Sequence, residues 1–170
     1  MSFTEKEFNK FTEDERMNRV LRGIAYFPFI QRHKHSDKYG TDEYSVNLVV
    51  TGEELKKAKS WGLEIMPATD KIPGEHVVIK RAVRYNKDQT PESVKPLLVD
   101  DSNQEITTDQ HIGNGSELII KFGTYFFNKV RTTMFKVKLV KLVPYARKDD
   151  MPTDGTGYKV AVGDNVAFDN

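Results

Sequence analysis

The chain has 170 residues, 38% of them apolar and 11% aromatic, which is enough for one domain with a buried core. It has no cysteine, so a disulfide framework, a thiolate zinc site and a cysteine nucleophile are all excluded, and a reducing compartment fits. Met1 to Glu7 lack a basic segment leading into an apolar run, and nowhere do about 18 apolar residues follow one another, so a soluble, unexported protein is expected.

The formal net charge of +1 conceals a division. Residues 1–15 carry two lysines against five acids, a balance of −3, and residues 149–170 carry Lys159 against five aspartates, a balance of −4. The body between them, 16–148, is therefore +8. A basic body between acidic ends suits a polyanion partner, although unevenly scattered surface charge gives the same totals. The expected division is an N-terminal arm or short helix over 1–19, a domain over 20–148 and a mildly acidic tail over 149–170.

Along the chain, Thr4 with Glu7 and Thr12 with Glu15 form two helix-start signals in which a hydroxyl caps an amide three residues on. Phe3, Phe8 and Phe11 supply an apolar face, so this segment reads as a brief helix or an arm covering a barrel or a second subunit. From Val20 the pattern changes to strands: 20–30, 44–50, 76–85, 118–127 and 132–143, each rich in β-branched and aromatic residues and bounded by Gly, Pro, Asn or Asp. Between the second and third, Thr51 and Glu54 form another capping box, Leu55 and Ala58 an apolar stripe, and Gly62 a helix end. The stretch 86–115 reads as loop with a short extended piece at Leu97 to Val99, and the tail after Asp149 as mobile. The fold expected is mainly β: a five-stranded OB-type barrel with one helix between strands two and three, a short N-terminal helix or arm and a flexible C-terminal tail.

The last two strands carry the most chemistry. With a turn over Asn128 to Arg131, Phe127 faces Thr132, and one face pairs Ile120 with Leu139, Phe122 with Val137 and Thr124 with Phe135 as core. The other face pairs Lys121 with Lys138, Gly123 with Lys136 and Tyr125 with Met134, and includes Phe127. Opposed lysines repel unless an anion lies over them, and no acid occurs between Lys121 and Lys141. Ammonium groups beside rings, with a glycine that admits a close approach, match the phosphates and bases of a single strand. A lysine-rich strand that only guards against aggregation is the plainer alternative. The third strand adds Lys80 and Arg84 on one face with His76, while Arg81 interrupts the apolar side and is placed at a barrel rim.

The loop after the first strand, 31–40, concentrates Arg32, Lys34 and Lys38 and ends in Tyr39 beside Gly40; in OB barrels this connection grips the ligand. His33 and His35 lack the cysteines or carboxylates of a metal site, so surface cations are the simpler reading. Gly113 to Ser116 lacks the lysine and the following helix of a phosphate loop and reads as a tight turn. Asp100 and Asp101 lack a third ligand or a general base for a nuclease. No cofactor and no catalytic residue is assigned.

The run Leu97 to Ser102, the turn and strand Ile112 to Phe122, and the closing strand Phe135 to Val143 together resemble the OB-fold single-stranded-DNA-binding proteins encoded by tailed phages, in particular the replication type of short-tailed phages. That family joins an extended segment ending in Val-Asp, a Gly-x-Gly-Ser turn and an alternating strand in this order; the first 100 residues match in outline only. The resemblance implies a non-catalytic protein of the infected bacterial cytoplasm that coats and protects unwound DNA in replication, recombination or repair. It also implies dimers, and an acidic tail with a terminal aromatic that contacts DNA polymerase and helicase-primase, here through Asp149, Asp150, Asp164 and Phe168. Lys80, Arg84, Lys121, Lys136 and Lys138, with Arg32, Lys34 and Lys38, are the expected phosphate contacts, and Tyr39, Tyr125 and Phe127 the expected base-stacking rings. A structural or interaction barrel and an RNA-binding OB domain are the rival readings.

Overall fold

Thr4 and Thr12 each close a capping box with the glutamate three residues on, which starts two short helices, α1 (Glu5–Phe8) and α2 (Glu13–Arg16). The structure, a computed structural model, describes residues 3–36, 41–83, 87–88, 95–106 and 111–144. The aromatic residues of the arm are spent on the barrel. Phe8 is buried with its ring 5.9 Å from that of Phe126, and Phe11 and Trp61 sandwich the Arg19 guanidinium at 4.4 and 4.7 Å. Thr124 adds a hydrogen bond of 2.9 Å from its hydroxyl to the Arg16 carbonyl.

Six strands follow: β1 (Arg19–Ser36), β2 (Thr41–Val49), β3 (His76–Ala82), β4 (Leu97–Val99), β5 (Glu117–Phe127) and β6 (Lys129–Lys141). They form one sheet in the order β3-β2-β1-β5-β6-β4, antiparallel except for β4 on β6. The sheet curls until its ends meet. Lys80 donates its backbone N–H to Thr132 Oγ1 at 3.0 Å, and Arg81 Nη1 donates to the Met134 carbonyl at 3.2 Å, which brings β3 against β6. β1, β2, β3, β5 and β6 thus make the OB-type barrel, and the expected extended piece at 97–99 becomes a short parallel strand along β6.

The core is the inner face of that barrel, where Leu21, Val46, Ile79, Ile120, Phe122 and Val137 are all fully buried. Near the middle of β1 the pairing with β2 slips between Tyr26 and Phe29. Phe27 stands at φ +51° there, its N–H donated at 2.7 Å to Asn114 Oδ1, and Pro28 beside it has no N–H for the ladder.

Two expectations change. Residues 31–36, read as loop, prolong β1, because across the β1–β2 ribbon Lys34 forms an ion pair with Glu43 opposite it and the His35 ring bonds to the Asp42 carboxylate. The helix α3 (Gly52–Ser60) forms where expected and ends before Gly62 at φ +79°, yet the Thr51 side chain makes no capping bond. Glu54 is engaged elsewhere, accepting from the Arg22 N–H at 2.7 Å and pairing with Lys57 at 2.9 Å. The turn at Gly113 to Ser116 is tight as expected: Gly113 N–H donates to the Val143 carbonyl at 2.7 Å, and the buried Ser116 hydroxyl accepts from Val143 N–H at 2.8 Å.

Candidate nucleic-acid interface

Alternation along β5 sends Leu118, Ile120 and Phe122 inward and leaves Lys121, Tyr125 and Phe127 on the outside. Tyr125 is 49% exposed and Phe127 64%, high values for rings held in a regular strand. That side of the hairpin is as the sequence suggests.

Its partners are not. The turn is a single residue, Asn128 at φ +66°, with Phe127 opposite Lys129 rather than Thr132. Lys121 consequently faces Lys136, and Lys138 faces Ile119. The register slips once more between Lys121 and Phe122, where β6 carries Phe135 as an extra residue. This bulge exchanges the faces of the expected pairs: Met134, expected outside against Tyr125, is fully buried against Phe122, and Phe135, expected in the core, is only half-buried. Tyr125 faces Arg131 and Thr124 faces Thr132.

Across the sheet, the outer face reads Val20, Lys121, Lys136 and Leu97 in one row and Arg22, Ile119 and Lys138 in the next. Neither Lys121 nor Lys136 makes an ion pair among the described residues, and their flanking neighbours Val20 and Leu97 are apolar and exposed. Glu117, the acid nearest this face along β5, is occupied by Arg22. Two rows further on, Arg131 donates through Nε to the Phe127 carbonyl at 2.9 Å and lies 5.6 Å over the Phe127 ring. Arg131 was assigned to the turn by sequence; only the tightness of the Asn128 turn puts it on this face.

Gly123 is not an opening. A methyl group there would lie 2.8 Å from Met17 Cε and 3.0 Å from Phe135 Cε2, so these two side chains already meet over it. On the Phe135 side, the Arg81 guanidinium lies 5.4 Å from the ring centre and bonds to the Met134 carbonyl, so it sits where β3 meets β6.

Of the other expected contacts, Lys80 is exposed on β3 opposite Ser45, beside β6 through its bond to Thr132. His76, expected on the same open face, is buried and bonded at 3.0 Å to the Gly74 carbonyl, because Met66 pairs over it. Lys34 is half-buried, lies 5.5 Å over the Phe29 ring and pairs with Glu43 at 3.8 Å, so its charge is already partly neutralised. Arg32 falls within β1, but its side chain lies outside the described residues, as do Lys38, Tyr39, Arg84, Asp149, Asp150, Asp164 and Phe168. Among the described residues no cluster of His, Asp and Glu could hold a metal ion. Asp100 instead caps its own turn, accepting from Ser102 N–H at 2.8 Å and Gln104 N–H at 3.0 Å.

Perturbed titrations lie away from this face. Burial lowers Arg19 and raises Tyr44, and the Thr12 amide and hydroxyl hold Glu15 below its ordinary value. What the hairpin face offers is fixed positive charge beside flat rings, the combination that takes phosphates and bases together.

Barrel closure and this face define an OB-type barrel with a basic, aromatic outer surface. No family model and no curated protein matches the chain. Among solved structures it is similar to gp2.5, a single-stranded DNA binding protein encoded by bacteriophage T7, with a TM-score of 0.54 and 15% identity over 79% of this chain and 98% of that one. A single-stranded DNA-binding protein from bacteriophage Enc34, in complex with ssDNA, aligns with a TM-score of 0.47 and 14% identity over 76% of this chain and 86% of that one. The chain shares the fold of gp2.5.

Proposed function

We propose that this chain binds single-stranded nucleic acid, DNA before RNA, without strong sequence preference, and that it coats and protects unwound strands in phage DNA replication, recombination or repair. The observation that carries the reading is the opposition of Lys121 and Lys136, without an acidic partner among the described residues, on the same face as the exposed rings of Tyr125 and Phe127. Phosphates over the lysines relieve their repulsion while bases stack on the rings, with affinity set by counterion release and stacking and not by base edges. The fold shared with gp2.5, a single-stranded DNA binding protein, supports the reading.

Lys80, Lys138 and Arg131 extend the phosphate path, Arg32, Lys34, Lys38 and Arg84 are assigned as further phosphate contacts, and Tyr39 as a further base-stacking ring. By the family resemblance, Asp149, Asp150, Asp164 and Phe168 of the acidic tail are assigned to contacts with DNA polymerase and helicase-primase, the chain acts as a homodimer in the infected bacterial cytoplasm, and it catalyses no reaction. Titrating fluorescent oligo-dT at two salt concentrations, with a duplex of equal length as control, tests the central claim. Tight binding to the single strand alone, falling steeply with salt, is expected; no binding at low salt favours a structural or interaction barrel, and preference for an RNA oligonucleotide reassigns the ligand.

A further inference from the structure

The outer row of β5 should have a hole at its centre, since Gly123 lies between Lys121 and Tyr125 and carries no side chain. The hole is filled by Met17 from the arm and by Phe135 from the neighbouring strand. The β6 bulge puts Phe135 out of register with the core, and its ring edge lies over Gly123 beside the Met17 side chain. Arg81, anchored by its bond to the Met134 carbonyl, holds the ring from the β3 side. Read along β5, the outer surface is then Lys121, the borrowed ring of Phe135, Tyr125 and Phe127.

Successive outward positions on a strand are about 6.8 Å apart, and stacked bases are separated by about 3.4 Å. Tyr125 and Phe127, neighbouring outward positions on β5, are therefore about two stacking distances apart, the room one base needs between two rings. A duplex, with its bases already stacked and paired, has none to offer. We infer that Phe135 is a nucleobase-binding residue, the innermost rung of an aromatic ladder that continues through Tyr125 and Phe127, with Gly123 and Arg81 as the residues that position it. Glycine is required because any larger residue would push the ring off the strand. The ligand is the flat face of an unpaired base in a single strand whose phosphates lie over Lys121 and Lys136, so the inference rests on the function proposed above.

The test uses the full chain. Phe135→Trp places an indole on the ladder, while the natural Trp61 lies on the far side of β5, with its ring 6.2 Å edge-on to Phe122. Saturating oligo-dT is expected to quench by more than half the emission that the Phe135→Trp protein has in excess of the unsubstituted protein, and to leave that of the unsubstituted protein nearly unchanged. Phe135→Leu, which keeps an apolar cover on Gly123 but removes the ring, is expected to weaken binding by about 5- to 150-fold, the range for one lost stack, with an unchanged salt slope because no phosphate contact is lost. If the unsubstituted protein binds oligo-dT while Phe135→Leu binds equally well and Phe135→Trp is not quenched, Phe135 is only a cover for the strand and the inference fails alone. A smaller salt slope in Phe135→Leu also overturns it, because the residue would then act through the phosphate path. If the unsubstituted protein does not bind, the proposed function fails and takes the inference with it.

Discussion

Lys121 and Lys136 stand directly opposite each other on the outer face of the β5–β6 hairpin, between the apolar side chains of Val20 and Leu97. Like charges in opposed strand positions destabilise a sheet, so in the free protein this pair is a standing cost that the proposed phosphate contact would remove. Replacing both by Ala is expected to leave the thermal midpoint unchanged or slightly raised while reducing oligo-dT affinity. Each lost phosphate contact lowers the slope of log K against log[salt] by about 0.7 for a single strand, so the double substitution should reduce it by about 1.4. Titrations at four salt concentrations check this. A full slope in the double variant would place the phosphate path elsewhere.

That pair also shows where the sequence was legible and where it was not. The alternation of β5 needs only local pattern, and Lys121, Tyr125 and Phe127 are exposed as read. Which residues face them depends on the turn and on any bulge. Asn128 tolerates a left-handed backbone, and this lets the hairpin close more tightly than a four-residue turn. The bulge at Phe135 then exchanges inside and outside from Phe135 to the turn, while Val137 stays inside and Lys136 and Lys138 outside as read, and a strand with large apolar residues at both Met134 and Phe135 gives no local sign of which one turns in. The same limit explains Thr51: its capping box with Glu54 is sound as local pattern, but Glu54 is drawn off by the Arg22 amide from a distant strand.

On the proposed function Tyr125 and Phe127 should contribute to binding and, being exposed, little to stability. Each substitution to Ala should weaken oligo-dT binding by about 1–3 kcal/mol and leave the denaturant midpoint nearly unchanged. Arg131 is the informative control. It bonds to the Phe127 carbonyl and lies over the Phe127 ring, so Arg131→Ala should both loosen that ring and lower the salt slope, a combination that neither ring substitution produces.

Arg19 anchors the arm to the barrel from within. The residue is only 6% exposed, its guanidinium lies between Phe11 and Trp61, and its Nε has no hydrogen-bond partner among the described residues. Burial without a bond is unfavourable, and burial is also what lowers its pKa, but two ring contacts in a desolvated slot oppose that cost at roughly 1–2 kcal/mol each. Arg19→Ala is expected to lower the unfolding free energy by about 1–3 kcal/mol. Arg19→Lys should lose nearly as much, since an ammonium has no plane to lie between rings. Urea denaturation of the three proteins measures both; a Lys variant as stable as the original would mean that charge alone holds the slot.

The arm should loosen in acid through Glu15. Thr12 donates its backbone N–H at 2.8 Å to the Glu15 carboxylate, and this bond, with the nearby Thr12 hydroxyl, holds the carboxyl below its ordinary value; the same hydroxyl accepts from the Glu15 amide at 3.1 Å and completes the box. Because the folded pKa lies below the unfolded one, the contribution to stability is complete above the ordinary carboxylate pKa and disappears as the pH falls through the folded value. Loss of the box frees the start of α2, and with it the turn whose Arg16 carbonyl accepts from Thr124. The amides of Arg16 and Met17, bonded at 2.9 and 3.0 Å to the carbonyls of Thr12 and Glu13, should therefore exchange faster with solvent as the pH drops through that window, after correction for intrinsic exchange. Glu15→Gln keeps an acceptor for the Thr12 amide but cannot titrate, so its protection should be flat over the same range. Equal acid sensitivity in both proteins would assign the loosening to another group.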